Sequence, residues 1–74
     1  MELDITRDSD GETCTLVLAG EVDVYTSPDL RRALADAVES GCARVVVDLE
    51  QLSFIDSSGL GVLVSTLRRM KEDG

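Results

Sequence analysis

Hydrophobic and polar positions alternate near the start of the chain and then change period. Leu3 and Ile5 are interleaved with Glu2, Asp4 and Thr6, a period of two that predicts a strand with one buried face. Asp8, Ser9, Asp10 and Gly11 form a turn cluster, with Gly11 available for positive φ. A second strand follows over Thr13 to Ala19, with Cys14, Leu16 and Leu18 on one face and Thr15, Val17 and Ala19 on the other. Both faces are rather apolar, so this strand is expected to be covered on two sides. The two strands should pair as an antiparallel hairpin. The change from apolar to acidic at Gly20, Glu21, Val22 and Asp23 marks the second strand's end.

The period then becomes helical. Ser27 is the expected cap and Pro28 the first helical residue, where no N–H is needed. Leu30, Ala33, Leu34, Ala37 and Val38 make the apolar stripe, and Gly41 ends the helix. Arg44 to Leu49 is an aliphatic run of the kind found in strands buried on both faces. A last helix carries Leu60, Leu63, Val64, Leu67 and Met70 on one stripe, with Arg68, Arg69 and Lys71 near its C-terminal end. The order is β-β-α-β-α, an α/β fold in which a mixed sheet is packed by helices. A strand–helix–strand passage implies parallel strands. Gly20–Asp23 and Asp56–Gly59 should then be neighbours at one sheet edge, where α/β sheets place their sites.

Composition narrows the function more than the fold. At 74 residues the chain is a single domain, 1–74, with a thin core and few aromatics, Tyr25 and Phe54. Fifteen acids against seven bases give a net charge of −8. That balance disfavours nucleic-acid backbones and anionic membrane surfaces, both of which need Lys and Arg. The N-terminus has no signal-peptide pattern and no apolar run is long enough to cross a bilayer, so a cytoplasmic location is expected. Histidine is absent, and Cys14 and Cys42 are far apart, so no metal or other cofactor is expected. A disulfide stays open, with two buried free thiols in a reducing cytosol the plainer expectation.

The chemistry concentrates in Phe54-Ile55-Asp56-Ser57-Ser58-Gly59-Leu60-Gly61. A strand that ends where a helix begins leaves backbone N–H groups and the positive end of a helix dipole at one point, which suits a phosphate. The plain reading makes one serine a helix cap, but two hydroxyls stand there and only one cap is needed. Gly59 costs helix stability of roughly 1 kcal/mol relative to Ala, as it would where another chain must approach closely. Ser57 is therefore the candidate phosphate carrier, with Asp56 ordering the turn and Asp23, which has no evident local role, a candidate partner contact. Hydrolase chemistry is excluded: there is no histidine base and no Gly-x-Ser-x-Gly elbow. Gly59-Leu60-Gly61 lacks the remainder of either nucleotide-binding glycine motif, which leaves a nucleotide-binding domain a weak alternative.

Together, Gly20-Glu21-Val22-Asp23, the Val45–Leu49 strand and Phe54 through Leu63 resemble the STAS domain, and within it the anti-sigma factor antagonists, or anti-anti-sigma factors. The resemblance spans the chain in order and spacing. It implies a non-enzymatic protein that binds an anti-sigma factor, itself an ATP-dependent serine kinase, and so releases a sigma factor. The serine directly after the aspartate is the phosphoacceptor in such proteins, which maps to Ser57, with a separate phosphatase resetting the switch. Ser58, Gly59 and Leu60 fall in the same contact loop, and Asp23 matches an acidic partner-binding position. A STAS module in a scaffold or a transporter, with Ser57 a mere cap, is the alternative. STAS domains continue with a further strand and helix, so the chain reads as truncated before them. The sheet edge left open invites pairing with a second copy.

Overall fold

The computed structural model describes residues 2–73. Met1 and Gly74, the outermost residues of the single domain expected from the sequence, lie outside them. The elements are β1 (Leu3–Asp10), β2 (Thr13–Val22), α1 (Ser27–Glu39), β3 (Arg44–Ile55) and α2 (Ser57–Asp73). β1 and β2 form the expected hairpin, antiparallel from Leu3 opposite Gly20 to Asp10 opposite Thr13. Gly11 takes φ 62° in the turn, as its position required. β2 runs parallel to β3, giving the sheet order β1-β2-β3 with β2 in the centre.

Both helices pack on one face of this sheet. Leu16, Leu18 and Val22 of β2 meet Leu30 and Leu34 of α1 and Val62 of α2 in a single buried cluster. Leu3 and Ile5 of β1 and Val45, Val47, Leu52 and Ile55 of β3 pack around it. The expectation that β2 and β3 are covered on two sides is therefore corrected. Thr15 and Val17 on the other face of β2 are half-buried, and Val46 of β3 is 41% exposed. One helical layer leaves that face to solvent, and the polar partners Asp8 and Thr6 of β1 lie opposite Thr15 and Val17 on it.

Two strand ends also differ from expectation. β2 continues beyond Ala19 through Val22, and β3 beyond Leu49 to Ile55. The ladder carries them across two register shifts, at Val17/Ala19 and Gly20/Glu21. Such bulges admit polar residues into a strand without losing the pairing. Gly20 is needed there: it has φ 114°, and a Cβ would strike the Glu2 carbonyl oxygen.

The cysteines are bonded as well. Cys14, fully buried at the start of β2, is joined in a disulfide to Cys42 just before β3, with Cα atoms 5.9 Å apart. This corrects the expectation of two free thiols. The parallel pairing of Cys14 with Val45 brings the segment before β3 alongside β2, a proximity that sequence separation concealed.

Candidate functional site

The parallel strands β2 and β3 end side by side. Val22 pairs with Ile55, and the Asp56 N–H donates to the Val22 carbonyl at 3.1 Å. Asp23 and Asp56 are the next residues of the two strands, so an aspartate leaves each strand end and leads into a helix. The predicted adjacency of Gly20–Asp23 and Asp56–Gly59 is therefore present.

Each aspartate is used by its own loop. Asp23 is buried, and its Oδ1 accepts from the Tyr25 N–H and the Thr26 N–H, both at 2.9 Å. The Thr26 hydroxyl also reaches it at 3.2 Å and accepts from the Asp23 N–H at 2.9 Å. The Thr26 N–H, aided by the Tyr25 N–H and the Thr26 hydroxyl, holds the Asp23 carboxyl below the ordinary carboxylate range, against the opposing push of burial. Asp23 thus has a local role that the sequence did not disclose. The helix cap moves too: Thr26, not Ser27, precedes α1, and its carbonyl accepts from the Asp29 and Leu30 N–H groups.

Asp56 caps α2. Its Oδ1 accepts from the Ser58 N–H at 2.9 Å and the Gly59 N–H at 3.2 Å, and its carbonyl accepts from the Leu60 N–H. This agrees with the Asx turn expected of it, and it relieves both serines of the capping role. It also changes the expected anion site. The amides at the start of α2 that a phosphate would have used already hold the Asp56 carboxylate.

Ser57 is exposed in the first turn of α2, and its hydroxyl has no hydrogen-bond partner among the described residues. Ser58 is half-buried, again with no side-chain bond among them. Gly59 is buried for an internal reason. A Cβ there would lie 2.5 Å from Val22 Cγ1 and 2.7 Å from Ile55 Cγ1, so α2 can approach the strand ends only with glycine. The close neighbour that the glycine accommodates is thus the chain's own sheet. Leu60 turns outward, 51% exposed. The sequence did not single out Val24 and Tyr25, which are 61% and 85% exposed beside Asp23. The available signal was an apolar pair, Val24-Tyr25, in the loop between the acidic strand end and the helix. Ser57, Leu60, Val24 and Tyr25 are thus among the groups this corner shows to solvent, with Phe54, 47% exposed, beside them at the end of β3.

Residues 5–74 match the family model described as MlaB, STAS domain. The fold and this site define the chain as a member of the STAS domain family. Within that family it belongs with the anti-sigma factor antagonists. It is 34% identical to the anti-sigma-B factor antagonist of Staphylococcus aureus over 73 residues, which is 99% of this chain and 68% of that protein. A solved anti-sigma factor antagonist from Mycobacterium paratuberculosis superimposes with a TM-score of 0.87 at 25% identity, covering 92% of this chain and 58% of that one. The Bacillus cell-fate determinant SpoIIAA in its phosphorylated form gives 0.77 at 25% identity, over 93% of this chain and 64% of its own. The chain therefore spans about two thirds of the length of these relatives.

Proposed function

We propose that this protein is a phosphorylation-switched anti-sigma factor antagonist whose phosphoacceptor is Ser57. The observation that carries the reading is the Ser57 hydroxyl, which is exposed and idle while Asp56 does the capping. A capping role would have explained the serine without a switch; its neighbour has taken that role. SpoIIAA, a relative of known fold, occurs in a phosphorylated form, which is in keeping with a phosphate in this family.

The chemistry belongs to a partner, an anti-sigma factor that is a serine kinase, and this chain is its substrate and ligand. Unphosphorylated, the corner formed by Ser57, Leu60, Val24 and Tyr25 docks on the anti-sigma factor, which then releases its sigma factor. Asp23, Asp56, Ser58 and Gly59 set the shape of the contact loop. Phosphorylation adds about −1.5 to −2 charges. The Asp56 carboxylate already occupies the helix amides, so the phosphate is not drawn into the fold and stands outward at the interface. Repulsion from Asp56 and the cost of desolvating the phosphate then weaken the complex, while α2 and the core stay as they are. A serine phosphatase resets the switch. The setting is cytoplasmic, where the kinase finds its ATP.

The test uses the cognate anti-sigma kinase and ATP, with the phosphate mapped by mass spectrometry, and a pull-down with the wild type, Ser57→Ala and Ser57→Asp. Label on Ser57, retained binding by Ser57→Ala and binding by Ser57→Asp weakened about tenfold or more, or 1.4 kcal/mol, are expected. Label elsewhere, or equal binding by all three, overturns the reading.

A further inference from the structure

The hairpin end of the sheet, remote from the Ser57 corner, gathers side chains that the switch does not use. Cys14 near the start of β2 is 2% exposed, and Cys42 in the loop between α1 and β3 is half-buried. The Arg7 guanidinium of β1 reaches both: Nη2 lies 3.4 Å from Cys14 Sγ and 3.7 Å from Cys42 Sγ. The same nitrogen donates to Ser40 Oγ at 2.7 Å, and Ser40 donates to the Ala37 carbonyl at 2.8 Å. Ser9 Oγ is 3.6 Å from Cys14 Sγ, and Ser40 Oγ is 3.4 Å from Cys42 Sγ. These groups, with Glu12, border an open hollow of about 240 Å³. None of them comes from α2 or from the outer side of β3.

A cross-link that only staples a fold has both sulfurs out of reach; exposed disulfides are the labile ones. Reactive cysteines sit in partly exposed, electropositive surroundings. Cys42 beside Arg7 meets that description in a chain of net charge −8, while Cys14 lies beneath it, buried. The backbone also keeps the two thiols together when the bond is open. Thr13 pairs with Arg44, and the Arg44 N–H donates to the Glu12 carbonyl at 3.1 Å. The two cysteine Cα atoms, 5.9 Å apart, are thereby held at a separation that suits closure.

We propose that Cys14 and Cys42 are a reversible thiol pair oxidised by hydroperoxides, with Cys42 attacking, Cys14 resolving and Arg7 positioning the sulfurs. The site is separate from the Ser57 corner and does not rest on the phosphorylation reading. Arg7 favours a Cys42 thiolate, opposed by Glu12 and by the carbonyl end of α1. The thiolate attacks one peroxide oxygen: an S–O bond forms, the O–O bond breaks, and the leaving oxygen takes up the proton that Cys42 lost. The Cys14 sulfur then attacks the sulfenic sulfur, and its proton departs with the hydroxyl as water. The two thiols lose two electrons and the hydroperoxide gains them. A dithiol reductant reverses this by attacking Cys42, the sulfur within reach, and releasing the Cys14 thiol. Its second thiol then closes the reductant's own disulfide and frees Cys42.

The full chain, reduced with dithiothreitol and freed of it, is treated with equimolar hydrogen peroxide. Thiols are counted by maleimide labelling and mass spectrometry, and each variant is checked for folding by circular dichroism. Both thiols should disappear together into an intramolecular Cys14–Cys42 bond, and dithiothreitol should restore them without urea. Cys14→Ala should stop at a sulfenic acid on Cys42, trapped by dimedone, whereas Cys42→Ala should take no dimedone. Arg7→Gln should oxidise about tenfold more slowly, and Arg7→Lys, which keeps the charge, should recover most of that rate. Dimedone on Cys14 instead of Cys42, or equal rates in the wild type and Arg7→Gln, overturns the proposal. A bond that dithiothreitol opens only in the unfolded chain is a structural staple and overturns it as well.

Discussion

Asp23 and Asp56 occupy equivalent places, each one residue past a paired strand end, yet they lend themselves to different tests. The Asp23 carboxylate is stabilised in the folded chain chiefly by the Thr26 N–H, so its folded pKa lies below its unfolded one. Its contribution to stability is then fully present above the unfolded value, near about pH 4, and is lost as pH falls through the lower folded value. Chemical denaturation of the wild type and Asp23→Asn across this window should show the wild type's advantage shrinking with acid. A difference that stays constant with pH would contradict the assignment. Asp56→Ala removes an oxygen that holds two amides of α2 and should cost about 1 kcal/mol, as helix caps do. Gly59→Ala is expected to destabilise the chain despite Ala's helix preference, because its methyl group meets Val22 and Ile55. A more stable Gly59→Ala protein in a thermal melt would show that those side chains yield.

The helices draw their stability from packing rather than from their own sequences. Leu30 and Leu34 of α1 are fully buried against β2, and α2 contributes Val62 to the same cluster. Leu30→Ala should cost about 2–5 kcal/mol, a large part of the roughly 4–11 kcal/mol expected for a domain of this length. Urea unfolding read by circular dichroism measures that loss. The stripe predicted on α2 is divided by its surroundings: Leu63 and Met70 are half-buried, while Leu60, Val64 and Leu67 are exposed. Leu60 turns to the Ser57 corner and Leu67 borders Val45 and Val47 of β3. The ion pair of Arg69 with Glu39, 3.7 Å across the two helices, is exposed on both sides and adds little.

For the molecule as a whole, the Cys14–Cys42 bond closes a loop across the central strand, with a sequence separation of 28. Removing such a cross-link by reduction should lower stability by about 3–4 kcal/mol on chain-entropy grounds. Urea midpoints with and without a thiol reductant measure it, and a Cys14→Ala, Cys42→Ala chain should not respond to the reductant. A reducing cytoplasm would hold the pair open, so the same measurement gives the stability available there.

The element order, the β1–β2 hairpin and the nearness of the two acidic strand ends were legible in the sequence. They follow from local periodicity, turn chemistry and the parallel passage that a strand–helix–strand order imposes. The Asp56-Ser57-Ser58-Gly59 motif at the start of α2 was legible because a motif is a property of adjacent residues. What the sequence left open all depends on who lies across from whom. It could not show that Asp56 rather than a serine caps α2, since capping is set by where the strand ends. Nor could it show that Asp23 is tied down by Thr26, that Gly59 yields space to Val22 and Ile55, or that Cys14 meets Cys42. The valine run of β3 is the plainest case: an apolar strand reads the same whether one face or both are covered, and only the tertiary arrangement put Val45 and Val47 against the core and left Val46 on the side away from the helices.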